Sequence, residues 1–303
     1  MEEKICQIVV TYNRKELLFR NLNSVLRQNH MADILIYDNA STDGTYDLLK
    51  ENGIVDNNRV HYYCSEKNIG GAGGFSEGLK MAYQMGYTLY WLMDDDGYCL
   101  NEYTLDELVK SIPENSKEFI LNSTVVCDDE KNLTFGFLNI ATYRDLLINS
   151  KEGKYIGYIN PFNSTLISKG CLEKIGFPKG EFFIYGDEHE YMLRAVKNDV
   201  FVATVVSSLY YHPVNRTIKY EKHWRYDIPI KNEPVWKTFC DVRNNIFIST
   251  QYDGWKMTLI RMYIYITSAR LKENKKLTYI RYTILGIMDG LTGKFSRPIM
   301  FDK

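Results

Sequence analysis

This 303-residue chain lacks several features, and each absence excludes a class of protein. No apolar run reaches the roughly 18 residues needed to cross a bilayer, and residues 1–4 show no signal-peptide pattern. The six cysteines form no CxxC pair and no zinc-type spacing, which predicts reduced thiols. A formal net charge of −1 gives no indication of nucleic-acid binding. We therefore expect a soluble or peripheral cytoplasmic protein with no nucleic-acid partner.

An acidic triplet is the most informative motif in the sequence. Asp94, Asp95 and Asp96 directly follow the apolar residues 90–93, which predict a short buried strand. Carboxylates beside a core require a partner, and a divalent cation such as Mg2+ or Mn2+ would supply one. The alternatives are a solvated acidic turn and a helix N-terminus capped by aspartate.

The first hundred residues alternate between short apolar runs and segments of helical periodicity. The strands that these runs predict lie at residues 5–10, 34–37, 60–63 and 90–93. This alternation predicts an α/β fold with a mostly parallel sheet flanked by helices, in which ligands bind outside the carboxyl ends of the strands. A polar or glycine-rich segment follows each run, so these four segments should converge on one site.

Beyond residue 100 the pattern changes. We predict further strands at residues 119–126, 134–140, 157–167 and 201–206, and helices from residue 236 onward. No repeat or low-complexity linker marks a boundary. We place one near residue 215, which predicts a sheet domain at 1–215 and a mainly helical region at 216–303.

Three other candidates each have a functional and a structural interpretation. The glycine-rich residues 68–74 would let backbone N–H groups approach a phosphate or sugar, or would only form a tight turn. Asp38 would accept hydrogen bonds from a nucleobase or ribose, or would form an Asx-turn. His212 would be a third metal ligand, with an imidazole suited to Mn2+, or a structural histidine.

Asp187 and Glu188 form a second acidic centre. A carboxylate of this kind acts as a general base when it reaches the hydroxyl that it deprotonates. The alternative interpretation is a helix start, since carboxylates suit a helix N-terminus.

Motifs along nearly the whole chain resemble family-2 glycosyltransferases of the GT-A fold. The motifs in order are Val-Val-Thr-Tyr-Asn-Arg at 9–14, Asp-Asn-Ala-Ser-Thr-Asp-Gly at 38–44, Asn-Ile-Gly-Gly-Ala-Gly-Gly-Phe at 68–75, Trp-Leu-Met-Asp-Asp-Asp-Gly at 91–97 and Gly-Asp-Glu-His-Glu-Tyr-Met-Leu-Arg at 186–194. Segments 210–213, 242–245 and 288–295 agree with this resemblance. The glycine-rich and triple-aspartate motifs are most similar to the galactofuranosyltransferase and rhamnosyltransferase branch. The resemblance implies a Rossmann-like GT-A fold.

The resemblance also implies roles for individual residues. Those implied to line the nucleoside pocket and support the nucleotide sugar are Thr11, Tyr12, Asp38, Asn68, Gly70, Gly71, Gly73 and Gly74. Asp94 would face the ribose, and Asp95 would approach the donor sugar. Asp94 and Asp96, completed by His212, would hold Mn2+ or Mg2+.

The implied reaction is an inverting, metal-dependent sugar transfer. The family's base is usually an aspartate at the position of Glu188, and the adjacent Asp187 leaves open which of the two takes the proton. Galactofuranose from UDP-galactofuranose is the expected donor sugar, with rhamnose from dTDP-rhamnose as the alternative. The expected acceptor is an oligosaccharide or lipid-linked glycan of a bacterial cell-surface polysaccharide. Outside the class, the alternatives are a nucleotidyltransferase and a non-catalytic glycan-binding homologue.

The end of the chain is strongly basic. Residues 255–303 carry ten Lys/Arg and three Asp/Glu, a net charge of about +7, interleaved with apolar residues. A helix of this kind would lie on an anionic membrane surface, which predicts peripheral membrane contact through residues 255–297 at the inner face of the cell membrane. The alternatives are packing on the sheet domain and a homo-oligomer interface.

Overall fold

The computed structural model describes residues 4–127, 131–137, 140–214 and 218–299. The chain divides into two compact units. The first unit comprises Met1–Gly180 and Tyr191–Val214, and the second comprises Glu181–Glu190 and Asn215–Lys303. The division into a sheet domain at 1–215 and a mainly helical region at 216–303, with the roles suggested for each, stays a prediction.

The first unit contains an α/β sheet. Its strands are β1 (Ile5–Thr11), β2 (Asp33–Asp38), β3 (Val60–Cys64), β4 (Leu89–Asp94), β5 (Tyr98–Cys99), β6 (Phe119–Val126), β7 (Asn132–Phe137), β8 (Ile140–Thr142), β9 (Lys154–Ile156), β10 (Asn163–Ser168) and β11 (Phe201–Tyr211). Its helices are α1 (Lys15–Leu26), α2 (Thr45–Glu51), α3 (Gly70–Gln84), α4 (Thr104–Lys110), α5 (Tyr143–Asn149) and α6 (Lys169–Ile175). Helix α7 (Asp187–Lys197) begins in the second unit and ends in the first.

The sheet is mostly parallel, as the sequence predicted. Its main order is β3-β2-β1-β4-β10-β6-β11. Strand β10 runs antiparallel to both β4 and β6, whereas β1, β2, β3 and β4 are parallel to one another and β6 is parallel to β11. The carboxyl ends of β1, β2, β4 and β11 therefore lie at one edge of the sheet.

Helices cover both faces of this sheet because its central strands are apolar on both sides. In β1, Val9 belongs to the core cluster that contains Leu18 of α1, whereas Ile8 belongs to the cluster that contains Leu79 of α3. Trp91 of β4 is completely buried. Strands that are buried on both faces read as continuous apolar runs, which explains why the sequence identified them.

The glycine-rich segment differs from the expected connection because it forms the first turns of α3, starting at Gly70. A Cβ at Gly74 would lie 2.5 Å from Cγ1 of Val10, so glycine there lets α3 approach β1 closely. Nothing lies within 4 Å of a Cβ built at Gly71. The glycines thus have a packing role on one side of α3 and leave open space on another.

Two strand predictions need correction. The strand predicted at 157–167 begins only at Asn163, directly after Phe162, whose φ of +66° interrupts the extended backbone before the strand. The strand predicted at 134–140 is two strands, β7 and β8, and residues 138–139 lie outside the described residues.

The second unit is mainly helical, as predicted. Its elements after residue 217 are β12 (Lys219–His223), β13 (Tyr226–Ile230), α8 (Val235–Ile248), a π-helical segment (Ser249–Asp253), α9 (Trp255–Arg270) and α10 (Lys276–Thr292). The β12–β13 hairpin was not predicted. Among the described residues, no helix combines the length and the apolar character needed to cross a membrane.

Candidate functional site

Two aspartates of the acidic triplet and His212 lie together at the carboxyl edge of the sheet. Asp94 ends β4, and His212 directly follows β11. Nε2 of His212 lies 3.2 Å from Oδ1 of Asp96 and 3.9 Å from Oδ2 of Asp94. The ligand atoms of the three side chains all lie within 4.8 Å of one another. The structure therefore brings together the three residues that the sequence proposed as metal ligands.

The short strand β5 explains how residues 118 positions apart in the sequence meet. It follows the triplet and pairs antiparallel with the end of β11, with Tyr98 opposite Tyr211. His212 is the residue after Tyr211, so this pairing places it beside the turn that contains Asp96. The strand β5 is only two residues long, which is too short for a periodic signal in the sequence.

His212 has the surroundings of a metal ligand. Nδ1 lies 2.8 Å from the carbonyl oxygen of Pro213 and is positioned to donate to it, which directs Nε2 towards the carboxylates. Burial alone would lower the pKa of His212, but the hydrogen bond to Asp96 and the charges of Asp94 and Asp96 outweigh it and raise this pKa. Two carboxylates and one imidazole are a donor set that fits a divalent cation.

Asn21 and Tyr210 hold the backbone of the acidic turn. Nδ2 of Asn21 donates to the carbonyl oxygens of Asp94 (3.2 Å) and Gly97 (2.9 Å). The Tyr210 hydroxyl donates to the same carbonyl of Asp94 at 3.2 Å. A Cβ at Gly97 would overlap the Tyr210 ring, so this turn requires glycine. Asn21 was not predicted as a site residue, although it is a polar residue within the apolar stripe of α1 that includes Leu18.

Asp95 is held by the end of β1 and the residues after it. Its Oδ2 accepts a hydrogen bond from Oγ1 of Thr11 at 2.8 Å, and its Oδ1 pairs with Nη1 of Arg14 at 3.1 Å. Burial raises the pKa of Asp95 to about 6, although the charge of Arg14 and the hydrogen bond from Thr11 oppose this. The predicted contact of Asp95 with the donor sugar stays a prediction.

Arg14 is a site residue that was not predicted. Besides Asp95, its Nη1 pairs with Oδ2 of Asp96 at 3.1 Å. Burial alone would lower the pKa of Arg14, but the charges of Asp95 and Asp96 outweigh it and raise this pKa. Arg14 therefore offsets part of the negative charge of the triplet. The Thr-Tyr-Asn-Arg motif at the end of β1 was the available signal.

The predicted nucleoside residues lie at the ends of β1 and β2. Asp38 is buried, and its Oδ1 accepts a hydrogen bond from the backbone N–H of Ser41 at 2.7 Å. The Tyr62 hydroxyl donates to its Oδ2. Tyr12 is exposed, and Thr11 is buried against Asp95. Asp38 thus organises the local turn, and its contact with a nucleoside stays a prediction.

The start of α3 is anchored to the segment after β2. Nδ2 of Asn39 donates to the carbonyl of Gly70 at 3.0 Å, and its Oδ1 accepts from the backbone N–H of Ile69 at 3.2 Å. Oδ1 of Asn68 accepts from the backbone N–H of Gly70 at 2.8 Å. The predicted donor-binding glycines Gly70, Gly71, Gly73 and Gly74 all lie in the first turns of α3. Their contact with a nucleotide sugar stays a prediction.

The second acidic centre lies in the second unit, at the start of α7. Asp187 is buried, whereas Glu188 is partly exposed. Glu190 is buried, and its Oε1 accepts a hydrogen bond from the Tyr252 hydroxyl at 2.9 Å. The segment is therefore a helix start, and the choice of a general base between Asp187 and Glu188 stays a prediction.

A protein-family model described as "Glycosyl transferase family 2" matches residues 6–176, which is more than half of the chain. The matched segment contains the acidic triplet and the strands from β1 to β10.

Two curated relatives are similar over most of the chain. The galactofuranosyltransferase GlfT1 of Mycolicibacterium smegmatis is 29% identical over 221 residues, which cover 70% of this chain and 71% of that protein. The dTDP-rhamnosyl transferase RfbF of Shigella flexneri is 22% identical over 302 residues, which cover 97% of each chain.

A solved structure shares the fold. The mannosyltransferase PcManGT from Pyrobaculum calidifontis, solved in complex with GDP-Man and Mn2+, aligns with a TM-score of 0.57 at 13% identity. The alignment covers 97% of this chain and 88% of that protein. At this identity, the likeness shows a common fold.

Proposed function

The chain belongs to glycosyl transferase family 2 and is a glycosyltransferase with the GT-A fold, and we propose that it transfers galactofuranose from UDP-galactofuranose. Membership of the family confirms the resemblance read from the motifs and argues against a nucleotidyltransferase. The acceptor in this proposal is a hydroxyl of a growing, lipid-linked bacterial cell-surface polysaccharide, and transfer takes place at the inner face of the cell membrane.

The cluster of Asp94, Asp96 and His212 is the observation that carries this proposal. In the proposal these three residues hold Mn2+ or Mg2+, and the imidazole favours Mn2+. When bound, the cation offsets the charge that develops on the departing diphosphate. The choice of sugar is supported by the similarity to GlfT1. Rhamnose from dTDP-rhamnose is the second candidate because RfbF is similar over nearly the whole chain.

The proposed reaction is a direct displacement with inversion. Glu188, or Asp187 beside it, accepts the proton of the acceptor hydroxyl, so that its oxygen forms a bond to the anomeric carbon. The bond between that carbon and the diphosphate oxygen breaks on the opposite face, and the nucleoside diphosphate leaves with the electron pair. The residues proposed to bind the nucleoside are Thr11, Tyr12 and Asp38, with Asp94 facing the ribose. Those proposed to support the nucleotide sugar are Asn68, Gly70, Gly71, Gly73 and Gly74, and Asp95 is proposed to approach the donor sugar.

The decisive test is nucleotide release from a panel of donors. With Mn2+ we expect turnover of UDP-galactofuranose, little turnover of UDP-galactopyranose, UDP-glucose or dTDP-rhamnose, and none of any donor in EDTA. Turnover of dTDP-rhamnose alone would replace the first candidate by the second. Silence on all four donors, together with no rise of the melting temperature on adding UDP or dTDP, would contradict the nucleotide pocket.

An exposed apolar face of the second unit supports the membrane contact in this proposal. Helix α10 buries one side against α8, and its opposite side exposes Leu277 (82%), Ile284 (47%) and Met288 (55%). These residues share one face because their spacing follows the helical repeat. Cationic residues flank or interrupt this face in the sequence, namely Arg270, Lys275, Lys276 and Arg281. We therefore propose that this face of α10 lies on an anionic membrane surface.

Vesicle flotation tests this surface. We expect the protein to float with vesicles that contain phosphatidylglycerol, and less with neutral vesicles or in high salt. Ile284→Glu combined with Met288→Glu should lower binding by at least about tenfold, since each apolar side chain contributes about 1.5–3 kcal/mol on burial. Ile148→Glu is the matched control, because Ile148 is an exposed isoleucine of α5 in the first unit. A dimer that the double variant disrupts, with no flotation of the wild type, would assign the face to a homo-oligomer.

A further inference from the structure

The loop that precedes Asp187 and Glu188 has an unusual backbone. Residues 181–186, called here the 181–186 loop, include Phe183 with a φ of +67°, Tyr185 with +68° and Gly186 with +82°. Residues other than glycine rarely adopt positive φ, and they do so only where the surroundings enforce it. Something outside the loop must therefore hold this conformation.

Asn244 of α8 supplies three of the required contacts. Its Nδ2 lies 3.0 Å from the carbonyl oxygen of Phe182, 2.9 Å from that of Ile184 and 2.7 Å from that of Tyr185. Asn244 is completely buried. An amide nitrogen carries two hydrogens, so one of them is shared between two carbonyls. A single side chain thus holds the loop at three of its six residues.

Arg243 fixes the orientation of Asn244 and adds two contacts. Its Nε donates to Oδ1 of Asn244 at 2.9 Å, which directs the NH2 group of that amide towards the loop. Its Nη2 donates to the carbonyl oxygens of Glu181 (3.2 Å) and Phe182 (2.9 Å). Arg243 is also completely buried, and its guanidinium lies 4.9 Å from the ring centroid of Phe295.

Helix α10 and the residues after it support this pair. A Cβ at Gly290 would lie 2.5 Å from the carbonyl oxygen of Arg243, so glycine there lets α10 pack directly on this turn of α8. The ring of Phe295 stacks on Phe182 at a centroid distance of 5.2 Å. The motifs at 242–245 and 288–295, whose roles the sequence left unexplained, thus meet at the 181–186 loop.

We propose that Arg243 and Asn244 are positioning residues for the general base. They hold the 181–186 loop in a conformation that fixes the start of α7, and thereby orient the carboxylates of Asp187 and Glu188. This role rests on the proposed function, because it concerns the proton transfer of that reaction. The clamp itself, meaning the five contacts from Arg243 and Asn244 to the loop carbonyls, is a property of the second unit and is measurable without any activity.

Hydrogen exchange of Asn244→Ala in the full-length protein tests the clamp. We expect peptides covering residues 181–190 to exchange at least about tenfold faster than in the wild type, because the loop loses three contacts. Asn245→Ala is the matched control. Asn245 is the neighbouring amide of α8, and its Nδ2 donates to the backbone carbonyl and Oδ1 of Asp241 in the same helix. Unchanged exchange of the loop in Asn244→Ala would overturn the clamp.

Kinetics of the same variants test the positioning role. Asn244→Ala should lower kcat for transfer by about 10- to 100-fold, since a displaced catalytic group has effects of this size. The KM for the donor and the rise of melting temperature on adding UDP and Mn2+ should stay within about twofold of the wild-type values. Where Asn244→Ala fails to fold, Asn244→Ser, which keeps one donor, replaces it and should show the same changes to a smaller extent.

The outcomes separate this inference from the proposed function. If the loop exchanges faster in Asn244→Ala but its kcat equals that of Asn245→Ala, the positioning role is overturned and the clamp stands. An equal loss of kcat and of donor binding would mark general damage and would also overturn it. A wild-type protein that turns over no donor would refute both the proposed function and the positioning role. Hydrogen exchange of residues 181–190 would still test whether the clamp exists.

Discussion

Asp96→Asn should lower kcat/KM for nucleotide-sugar turnover by about a thousandfold, since a bound metal supplies several kcal/mol and each 1.36 kcal/mol is a factor of ten. Asp96 is 6% exposed, and its carboxylate contacts both His212 and Arg14. The amide keeps the shape of the side chain but removes the negative charge that a divalent cation requires. The effect should therefore come from lost cation binding rather than from altered packing.

Binding measurements distinguish this cause from a general defect. Titration of the wild type with Mn2+ in the presence of UDP should show one site, and Asp96→Asn should weaken that binding at least about tenfold. Asp106→Asn is the matched control, because Asp106 also pairs with a histidine, His30 at 3.6 Å, on the surface of the first unit. An Asp96→Asn variant that keeps turnover and Mn2+ dependence equal to the control would remove the metal assignment.

The second large effect is expected for Glu188→Gln, which should lower kcat by about 100- to 10,000-fold because the general base loses its proton-accepting oxygen. The KM for the donor should change little, since the donor contacts are proposed to lie elsewhere. Glu188 is partly exposed at the start of α7, so the isosteric change should leave the melting temperature nearly unchanged. Kinetics with saturating donor and varied acceptor would measure the effect.

Asp187→Asn resolves which carboxylate is the base. Asp187 is buried, so its replacement is expected to affect stability more than turnover. Glu181→Gln, which changes an exposed glutamate of the same segment, should retain full activity. If Asp187→Asn loses turnover while Glu188→Gln keeps it, the role of general base moves to Asp187. Full activity in both variants would mean that neither residue is the base.

Local hydrophobic patterns in the sequence were sufficient to predict the parallel part of the sheet. Strands β1, β2 and β4 are mostly apolar runs, whereas β3 is a strand of mixed residues at the edge of the sheet. Polar residues follow these strands and define the site edge, so both could be predicted from neighbours in the sequence. The start of α3 was read as a connection because glycine disfavours helices. Its close packing against Val10 is a tertiary contact that outweighs this local preference.

Contacts between residues far apart in the sequence could not be predicted from local sequence patterns. The residue type and the resemblance both offered His212 as a ligand, but its place beside Asp96 depends on the pairing of Tyr98 with Tyr211 across the sheet. Arg14, Asn21 and Tyr210 were missed because their partners lie 73 to 116 positions away in the sequence. Asn244 likewise acts on a loop about 60 residues earlier.

Gly97 and Tyr210 impose a constraint on how this site can change during evolution. A side chain at position 97 would collide with the Tyr210 ring, yet removing the ring would also remove the hydroxyl that holds the carbonyl of Asp94. Neither residue can be replaced alone without disturbing the acidic turn, and their effects are therefore strongly epistatic. Viable lineages should change both positions together or neither, which makes the pair a marker for aligning distant homologues around the acidic turn.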